Sequence, residues 1–309
     1  MGWLQTAKLD PLEYLQMANM KNNTQSSASD VRDRSIGNII AEANKLSPEQ
    51  VGLILEYQKS HGVRFGEAAV ALGLAKGEDV LWALSQQFHY PYATGGENKL
   101  GEELVLAHKP FSHQAEAIRT LRSQLNMRIF TPDQPRRAVA IVSPESGDGK
   151  TFFAANLAIA FSQIGGRTLL IDADMRNPRL HHIFNIDMQG GLSGILSGRA
   201  ESGAIRAISD LPSLFLMPVG TVPPNPTELL ERPAFGLLMQ ELVNKFDYIF
   251  VDTPAAEFGS DYAVIAARCG ASLTIVRKNH SRVDSLKGMN TTIAAGASLM
   301  AGVVLNEHR

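Results

Sequence analysis

The sequence contains almost no cysteine, since Cys269 is the only one among 309 residues. A single thiol cannot form an internal disulfide, and the chain has no C-x-x-C or Cys/His cluster with the spacing of zinc ligands. This composition excludes a disulfide-stapled secreted domain and a zinc module. It fits a reducing cytoplasm.

An excess of charge and a long apolar run are also missing. The formal net charge is −2 at pH 7, so the basic footprint that polyanions require is absent and we expect no nucleic-acid partner. No stretch approaches the roughly 20 apolar residues that cross a bilayer, and the N-terminus lacks a basic stretch followed by an apolar core. We therefore expect a cytoplasmic protein that a partner recruits to the inner face of the membrane.

The first third of the chain contains polar stretches and a repeat. The polar character around residues 18–33 predicts that residues 1–33 form a flexible segment. Within residues 34–93, apolar residues at helical spacing predict two helix–turn–helix pairs. Matched residues at one constant offset support the repeat: Gly37 and Gly66, Glu49 and Glu78, Val51 and Val80, Leu55 and Leu84, Gln58 and Gln87. A second polar stretch predicts a linker over residues 94–114.

The remaining residues, 115–309, alternate between β-rich apolar runs and helical patterns. This order predicts an α/β fold with a doubly wound parallel sheet, because parallel strands need crossover helices. Ligands in such sheets bind at the carboxyl ends of the strands. The expected strands are Ala138–Val142, Thr168–Ile171, Leu214–Met217, Tyr248–Val251, Leu273–Val276 and Val303–Leu305, and the expected helices include Phe152–Ile164, Glu228–Val243 and Val283–Ala295.

A partial P-loop motif follows the first of these strands. The stretch SPESGDGKT runs from Ser143 to Thr151, with Pro144 where the first glycine of the pattern belongs. Its glycines let backbone amides face phosphate oxygens, while Lys150 reaches the β- and γ-phosphates and Thr151 offers its hydroxyl to Mg²⁺. The motif predicts binding of ATP with Mg²⁺. A glycine-rich turn with a solvated lysine is the competing interpretation.

Three aspartates at strand ends favour the nucleotide site. Asp172 and Asp174 follow the second strand, and Asp252 follows the strand FDYIFV. A single aspartate at such a place is often a helix cap. Three of them after a P-loop are better explained as a magnesium shell together with a group that orients or deprotonates the nucleophile.

The combination of SPESGDGKT, LLIDADMRNPRL and FVDTPA resembles the bacterial tyrosine kinases, which belong to the MinD/ParA branch of P-loop proteins. The ATPases of that branch carry a lysine where this chain has Glu145, and this difference together with Arg176 favours the kinases. The resemblance implies catalytic roles for Lys150, Asp172, Asp174 and Asp252, and magnesium binding by Thr151, Asp174 and Asp252. It makes Asp172 the candidate base, although base and ligand can be exchanged between Asp172 and Asp174. The implied nucleotide-binding residues are Ser146, Gly147, Asp148, Gly149, Lys150, Thr151, Phe152 and Asn306.

The segment EAIRTLRSQL places Glu116, Arg119 and Arg122 on one helical face. In the kinase family this pattern lies at the subunit contact of a ring, so the resemblance predicts a homo-oligomer with these three residues at the interface. Ordinary ion pairing on a solvated helix face is the alternative.

The sequence departs from the family in having no tyrosine after Tyr262. Two hypotheses follow. In the first, the chain is a tyrosine kinase that acts on another protein; it resembles the EpsG-type kinases of exopolysaccharide operons, which implies a separate membrane adaptor of the Wzz chain-length type. In the second, it is a MinD-type ATPase switch that controls the polysaccharide machinery by nucleotide-dependent assembly.

The N-terminal repeat resembles the N-terminal module of type II secretion and pilus ATPases, some of which bind cyclic di-GMP. The second copy keeps the binding pattern at Arg64, Gly66, Gly73 and Gln87. The first copy has Ser35 and Asn44 where arginine and glycine are expected. A docking module is therefore favoured over a nucleotide sensor.

Overall fold

The computed structural model describes residues 36–88, 100–199 and 203–307. The chain divides into two compact units between Gly95 and Gly96. The flexible segment expected over residues 1–33 lies outside the described residues. Among the described helices, none has both the length and the apolar character needed to cross a membrane.

The N-terminal unit is helical, and its second helix shows how the sequence sets a boundary. Ser47 and Gln50 form a capping box, Pro48 occupies the first turn, and Gly62 ends the helix in the left-handed conformation. The first helix packs against the fourth and the second against the third. The buried side chains are small or aliphatic, including Ile40, Ile54, Ala68, Ala69 and Ala83. The helices are α1 (Ile36–Ala43), α2 (Pro48–His61), α3 (Phe65–Ala71) and α4 (Gly77–Phe88).

The C-terminal unit is an α/β domain built on one seven-stranded sheet with the order β3-β4-β2-β5-β1-β6-β7. All neighbouring strands are parallel except β3 and β4, which pair antiparallel at one edge. The strands are β1 (Ala138–Val142), β2 (Thr168–Asp172), β3 (Arg206–Ile208), β4 (Leu211–Met217), β5 (Tyr248–Asp252), β6 (Gly270–Arg277) and β7 (Leu299–Asn306). The central strands are continuous apolar runs because helices cover both faces of the sheet.

The helices of this unit follow the crossover pattern. They are α5 (Val105–His108), α6 (His113–Arg128), α7 (Lys150–Ser162), α8 (Leu180–Ile183), α9 (Leu192–Leu196), α10 (Pro226–Glu231), α11 (Pro233–Lys245), α12 (Asp261–Cys269) and α13 (Val283–Ala295), with a 3₁₀ turn at Ala256–Phe258. The doubly wound parallel sheet expected from the sequence is confirmed.

Two local expectations differ from the structure. The helix expected over Glu228–Val243 is two helices, because Pro233 has no amide hydrogen and holds Arg232 in an extended conformation with ψ 143°. The antiparallel strand β3 was not expected, because a three-residue edge strand carries too little pattern to recognise.

Residues 104–107 are buried within the α/β unit, although the polar composition predicts a linker over residues 94–114. Leu104 and Leu106 are fully buried. Asn156 of α7 accepts the Leu106 amide at 3.3 Å and donates to the Glu103 carbonyl at 3.0 Å. Burial of this short apolar run outweighs the polar composition of its surroundings.

Candidate nucleotide site

The P-loop connects β1 to α7 and requires glycine at two positions. Gly147 has φ 80° and Gly149 has φ 106°, conformations that side chains disfavour. A Cβ atom on Gly149 would lie 2.6 Å from Asn306 Nδ2. The loop therefore closes tightly against the end of β7 before α7 begins.

Three consecutive carbonyl groups of the P-loop are held from one side. His280 Nε2 contacts the Ser146 oxygen at 2.9 Å, Arg277 donates to Gly147 at 3.4 Å, and Asn306 donates to Asp148 at 2.9 Å. In a trans peptide the following N–H points opposite to the carbonyl. These contacts therefore turn the amides of residues 147–149 to the other side of the loop, as a phosphate cradle requires.

The Asp148 side chain shapes the loop from within. It is fully buried, with Oδ2 accepting the Glu145 amide at 2.9 Å and Oδ1 accepting the Ser281 hydroxyl at 2.6 Å. The carboxylate is thus committed to the protein, and only the backbone of Asp148 remains for a nucleotide. Ser281 lies in the β6–α13 loop, and no sequence motif marks this loop as part of the site.

Lys150 is 7% exposed, and its Nζ donates to Ser143 Oγ at 3.0 Å. Ser143 in turn donates to the Glu145 carbonyl at 2.7 Å. This arrangement holds the lysine along the loop rather than in solvent. It removes the solvated-lysine interpretation of the motif.

The three aspartates meet at the carboxyl ends of β2 and β5, where Asp172 and Asp252 are register partners. Asp172 accepts the amides of Asp174 and Leu180 at 3.2 and 3.1 Å, one on each oxygen. Asp174 Oδ1 accepts the amides of Arg176 and Asn177. All three carboxyl groups are buried, and Asp174 is the most exposed of them at 8%.

Burial dominates the electrostatics of this cluster. It raises the pKa of Asp172 well above the ordinary value, and the neighbouring Asp252 and Asp174 raise it further. Burial also raises the pKa of Asp252 to about 7, although Lys150 and Thr151 oppose the shift. Asp252 Oδ1 is a buried oxygen without a hydrogen-bond partner. The cluster is therefore short of positive charge.

A Mg²⁺ ion fits this deficit. Mg²⁺ prefers oxygen ligands and is commonly held by one or two carboxylates together with substrate phosphates. Asp252 supplies an unpaired buried oxygen, and Asp174 has one oxygen that its local amides leave unused. Thr151 lies near Asp252, where its hydroxyl lowers the pKa of that carboxyl group. The donor set is that of a hard cation.

Arg176 forms an ion pair with the buried carboxylate of Asp261. Its Nε donates to Asp261 Oδ2 at 2.7 Å, while Asp261 Oδ1 accepts the Thr227 hydroxyl. The ion pair raises the pKa of Arg176. It also ties the loop after β2 to the first turns of α10 and α12.

Glu257 is a further residue that contacts the P-loop. Its Oε1 accepts the Ser146 amide at 2.6 Å. No motif marks this glutamate, because the contact depends on how the turn after β5 folds back over the P-loop.

The remaining predicted residues lie in two places. Phe152 is in the first turn of α7, its ring edge-on to Phe153 at 5.4 Å. Glu116, Arg119 and Arg122 are on α6, away from the strand ends. Arg119 pairs with Glu116 at 3.3 Å, whereas Arg122 donates to the Ala160 carbonyl near the end of α7 at 3.0 Å.

Comparisons with known proteins agree with this geometry. Residues 139–309, more than half of the chain, match the CobQ/CobB/MinD/ParA nucleotide binding domain. The tyrosine-protein kinase CpsD of Streptococcus agalactiae is 31% identical over 195 residues, which is 63% of this chain and 85% of CpsD. The tyrosine-protein kinase Wzc of Salmonella typhimurium is 33% identical over 207 residues, which is 66% of this chain but only 28% of Wzc. The kinase domain of the Escherichia coli tyrosine kinase ETK is 27% identical with a TM-score of 0.64, over 69% of this chain and 82% of that one.

Proposed function

Because the chain belongs to the CobQ/CobB/MinD/ParA nucleotide-binding family, and within it to the bacterial tyrosine kinases, we propose that it transfers the γ-phosphoryl group of ATP to a tyrosine hydroxyl. The observation that carries the proposal is the meeting of a buried P-loop lysine with three buried carboxyl groups at one edge of the sheet. The family relatives favour this function over a MinD-type switch.

The proposed roles follow from the contacts. The amides of residues 147–149 and Lys150 hold the phosphates, and Asn306, at the end of β7, contacts the base. Thr151, Asp174 and Asp252 are the proposed magnesium ligands. Bound Mg²⁺ would offset the charge that develops on the phosphates during transfer.

We assign Asp172 as the base. Its two oxygens each accept a backbone amide and keep a lone pair, and its raised pKa suits a group that must hold a proton. The tyrosine oxygen forms a bond to the γ-phosphorus as its proton passes to Asp172. The bond between the γ-phosphorus and the bridging oxygen breaks, and ADP leaves.

We further propose that the acceptor tyrosine is on another protein and that the reaction serves exopolysaccharide chain-length control with a Wzz-type membrane adaptor. Resemblance to the EpsG-type kinases supports this. The two tyrosines of the α/β unit are at least partly buried: Tyr262 is 6% exposed, and the ring of the half-buried Tyr248 lies against Phe130 and Phe161. This burial makes both poor acceptors.

The N-terminal unit supports a docking role. Leu53, Leu55 and Val70 expose 56%, 49% and 42% of their surface, which leaves apolar surface that a protein partner could cover. The adaptor is the proposed partner. Cyclic di-GMP is the weaker candidate, because the first copy of the repeat departs from the binding pattern.

The test is a radiolabelled-ATP assay with and without the cytoplasmic ends of the adaptor, followed by mapping of phosphorylated residues. We expect phosphotyrosine on the adaptor and its loss in Lys150→Met, since the lysine holds the phosphates. A parallel reaction with cyclic di-GMP shows whether the N-terminal unit responds to it. ATP-dependent assembly with no phosphotyrosine on any component would contradict the kinase and support the switch.

A further inference from the structure

The 3₁₀ turn that follows β5 is fastened to the P-loop by its backbone. The Ala256 amide donates to the Ser143 carbonyl at 2.9 Å, and the Glu257 amide donates to the Pro144 carbonyl at 3.1 Å. The turn begins four residues after Asp252, so one short segment connects the acidic cluster to the first half of the loop. These contacts hold the main chain of Glu257 against the P-loop, so its exposed side chain starts beside the loop.

From this position Glu257 occupies a P-loop amide. Its Oε1 accepts the Ser146 N–H at 2.6 Å, a short contact typical of a charge-assisted hydrogen bond. The Ser146 amide directly precedes the three amides that face away from His280, Arg277 and Asn306. It lies at the end of the loop farther from α7, and the binding mode proposed for ATP brings the terminal phosphate to this end of the loop.

An amide has one hydrogen, and a carboxylate and a phosphate oxygen are both negative. The two groups therefore compete for the Ser146 N–H and repel each other. The conflict is specific to the terminal phosphate, because the amides of residues 147–149 and Lys150 do not touch Glu257. A nucleoside diphosphate lacks this third phosphate, so Glu257 competes with it and repels it much less.

We propose that Glu257 is a specificity-determining residue that competes with the terminal phosphate of a nucleoside triphosphate for the Ser146 amide, and so lowers the preference for ATP over ADP. This inference rests on nucleotide binding at the P-loop, the first half of the proposed function. It adds to the nucleotide site a residue that belongs neither to the P-loop nor to the three aspartates.

The test compares Glu257→Gln and Glu257→Ala with the full-length parent chain, using calorimetric titration with ADP and with a non-hydrolysable ATP analogue in the presence of Mg²⁺. We expect the affinity for the triphosphate to rise by about three- to tenfold and that for ADP to change by less than about twofold, because removing the charge weakens a charge-assisted contact. The alanine variant removes the acceptor as well, so its shift should be at least as large. Glu231→Gln, which removes one exposed carboxylate at the end of α10, is the matched control and should leave the ratio unchanged.

An unchanged ratio in both variants, or a weaker affinity for the triphosphate, overturns the proposal. A parent chain that binds neither nucleotide overturns it together with the site. An affinity shift in a chain that forms no phosphotyrosine supports this inference and contradicts only the phosphoryl transfer.

Discussion

At the scale of single residues, Asp252 favours folding in its protonated form but would bind Mg²⁺ in its ionised form. It is 1% exposed with one unpartnered oxygen, and its pKa rises from 3.8 to about 7. A carboxyl group whose pKa is higher in the folded state favours folding when it is protonated. Its contribution to stability therefore falls as pH rises from about 4 to about 7, the interval between the unfolded and folded pKa values. Mg²⁺ needs the ionised form, so binding gains in the same interval.

Asp252→Asn should separate these two effects. Without nucleotide, we expect the variant to unfold at a temperature a few degrees above the parent at pH 8 and by a smaller margin at pH 5, because the amide cannot ionise. It should also lose the stabilisation that Mg²⁺ and ATP together give the parent. Thermal unfolding at both pH values, with and without the ligands, measures both effects.

Asp210→Asn is the control, since Asp210 is exposed and its replacement should change neither curve. A lower unfolding temperature for Asp252→Asn at pH 8, without ligands, would contradict this prediction and show that the ionised carboxylate stabilises the ligand-free protein.

At the scale of elements, the buried segment at residues 103–108 depends on one side chain of α7. Asn156 is fully buried and bonds the Leu106 amide, the Glu103 carbonyl and the Phe152 carbonyl of its own helix. Glu103 also pairs with Arg179 at 2.8 Å, next to the first turn of α8. Asn156 therefore joins the segment that precedes the α/β core to the helix of the P-loop.

We expect Asn156→Ala to lower the free energy of unfolding of the α/β unit by about 1–3 kcal/mol, because it leaves the buried Leu106 amide without a partner and removes one of the two hydrogen bonds to the Glu103 carbonyl. Asn244→Ala is the matched control. The exposed Asn244 bonds only the Gln240 carbonyl of its own helix, so its loss should cost less than about 1 kcal/mol.

Denaturant unfolding followed by near-ultraviolet circular dichroism measures the difference. Equal costs for the two asparagines would mean that water replaces the lost contacts and that the segment is not held by α7.

At the scale of the whole molecule, α6 carries the residues that the family resemblance places at a subunit interface. Their environments differ. Glu116 and Arg119 pair on the surface at 3.3 Å, while Arg122 reaches the Ala160 carbonyl of α7. An interface role suits the first pair better, because Arg122 already has a function within its own chain.

We expect Glu116→Ala with Arg119→Ala to shift the protein toward smaller assemblies without a change in unfolding temperature, since an exposed ion pair contributes about 0.2–1 kcal/mol. Arg122→Ala should lower the unfolding temperature. Light scattering after size exclusion, in the presence of ATP and Mg²⁺, gives the assembly size. An unchanged size in the double variant would contradict an interface on this face of α6.

The α/β class, the two helix pairs and the strands that carry the site could all be predicted from the order of the residues. Strands buried on both faces and helices with a repeated period leave patterns in the order of the residues, and the acids and the P-loop are local motifs. A linear pattern could not reveal that residues 100–108 pack on α7, because their burial depends on distant Asn156.

The groups that surround the P-loop could be identified only from the folded chain. His280, Arg277 and Asn306 hold its carbonyls, Ser281 bonds Asp148, and Glu257 occupies the Ser146 amide. These contacts join residues more than 100 positions apart, across loops whose paths the sheet order sets. Their physical reason is the closeness of the carboxyl ends of β1, β5, β6 and β7, which no local pattern records.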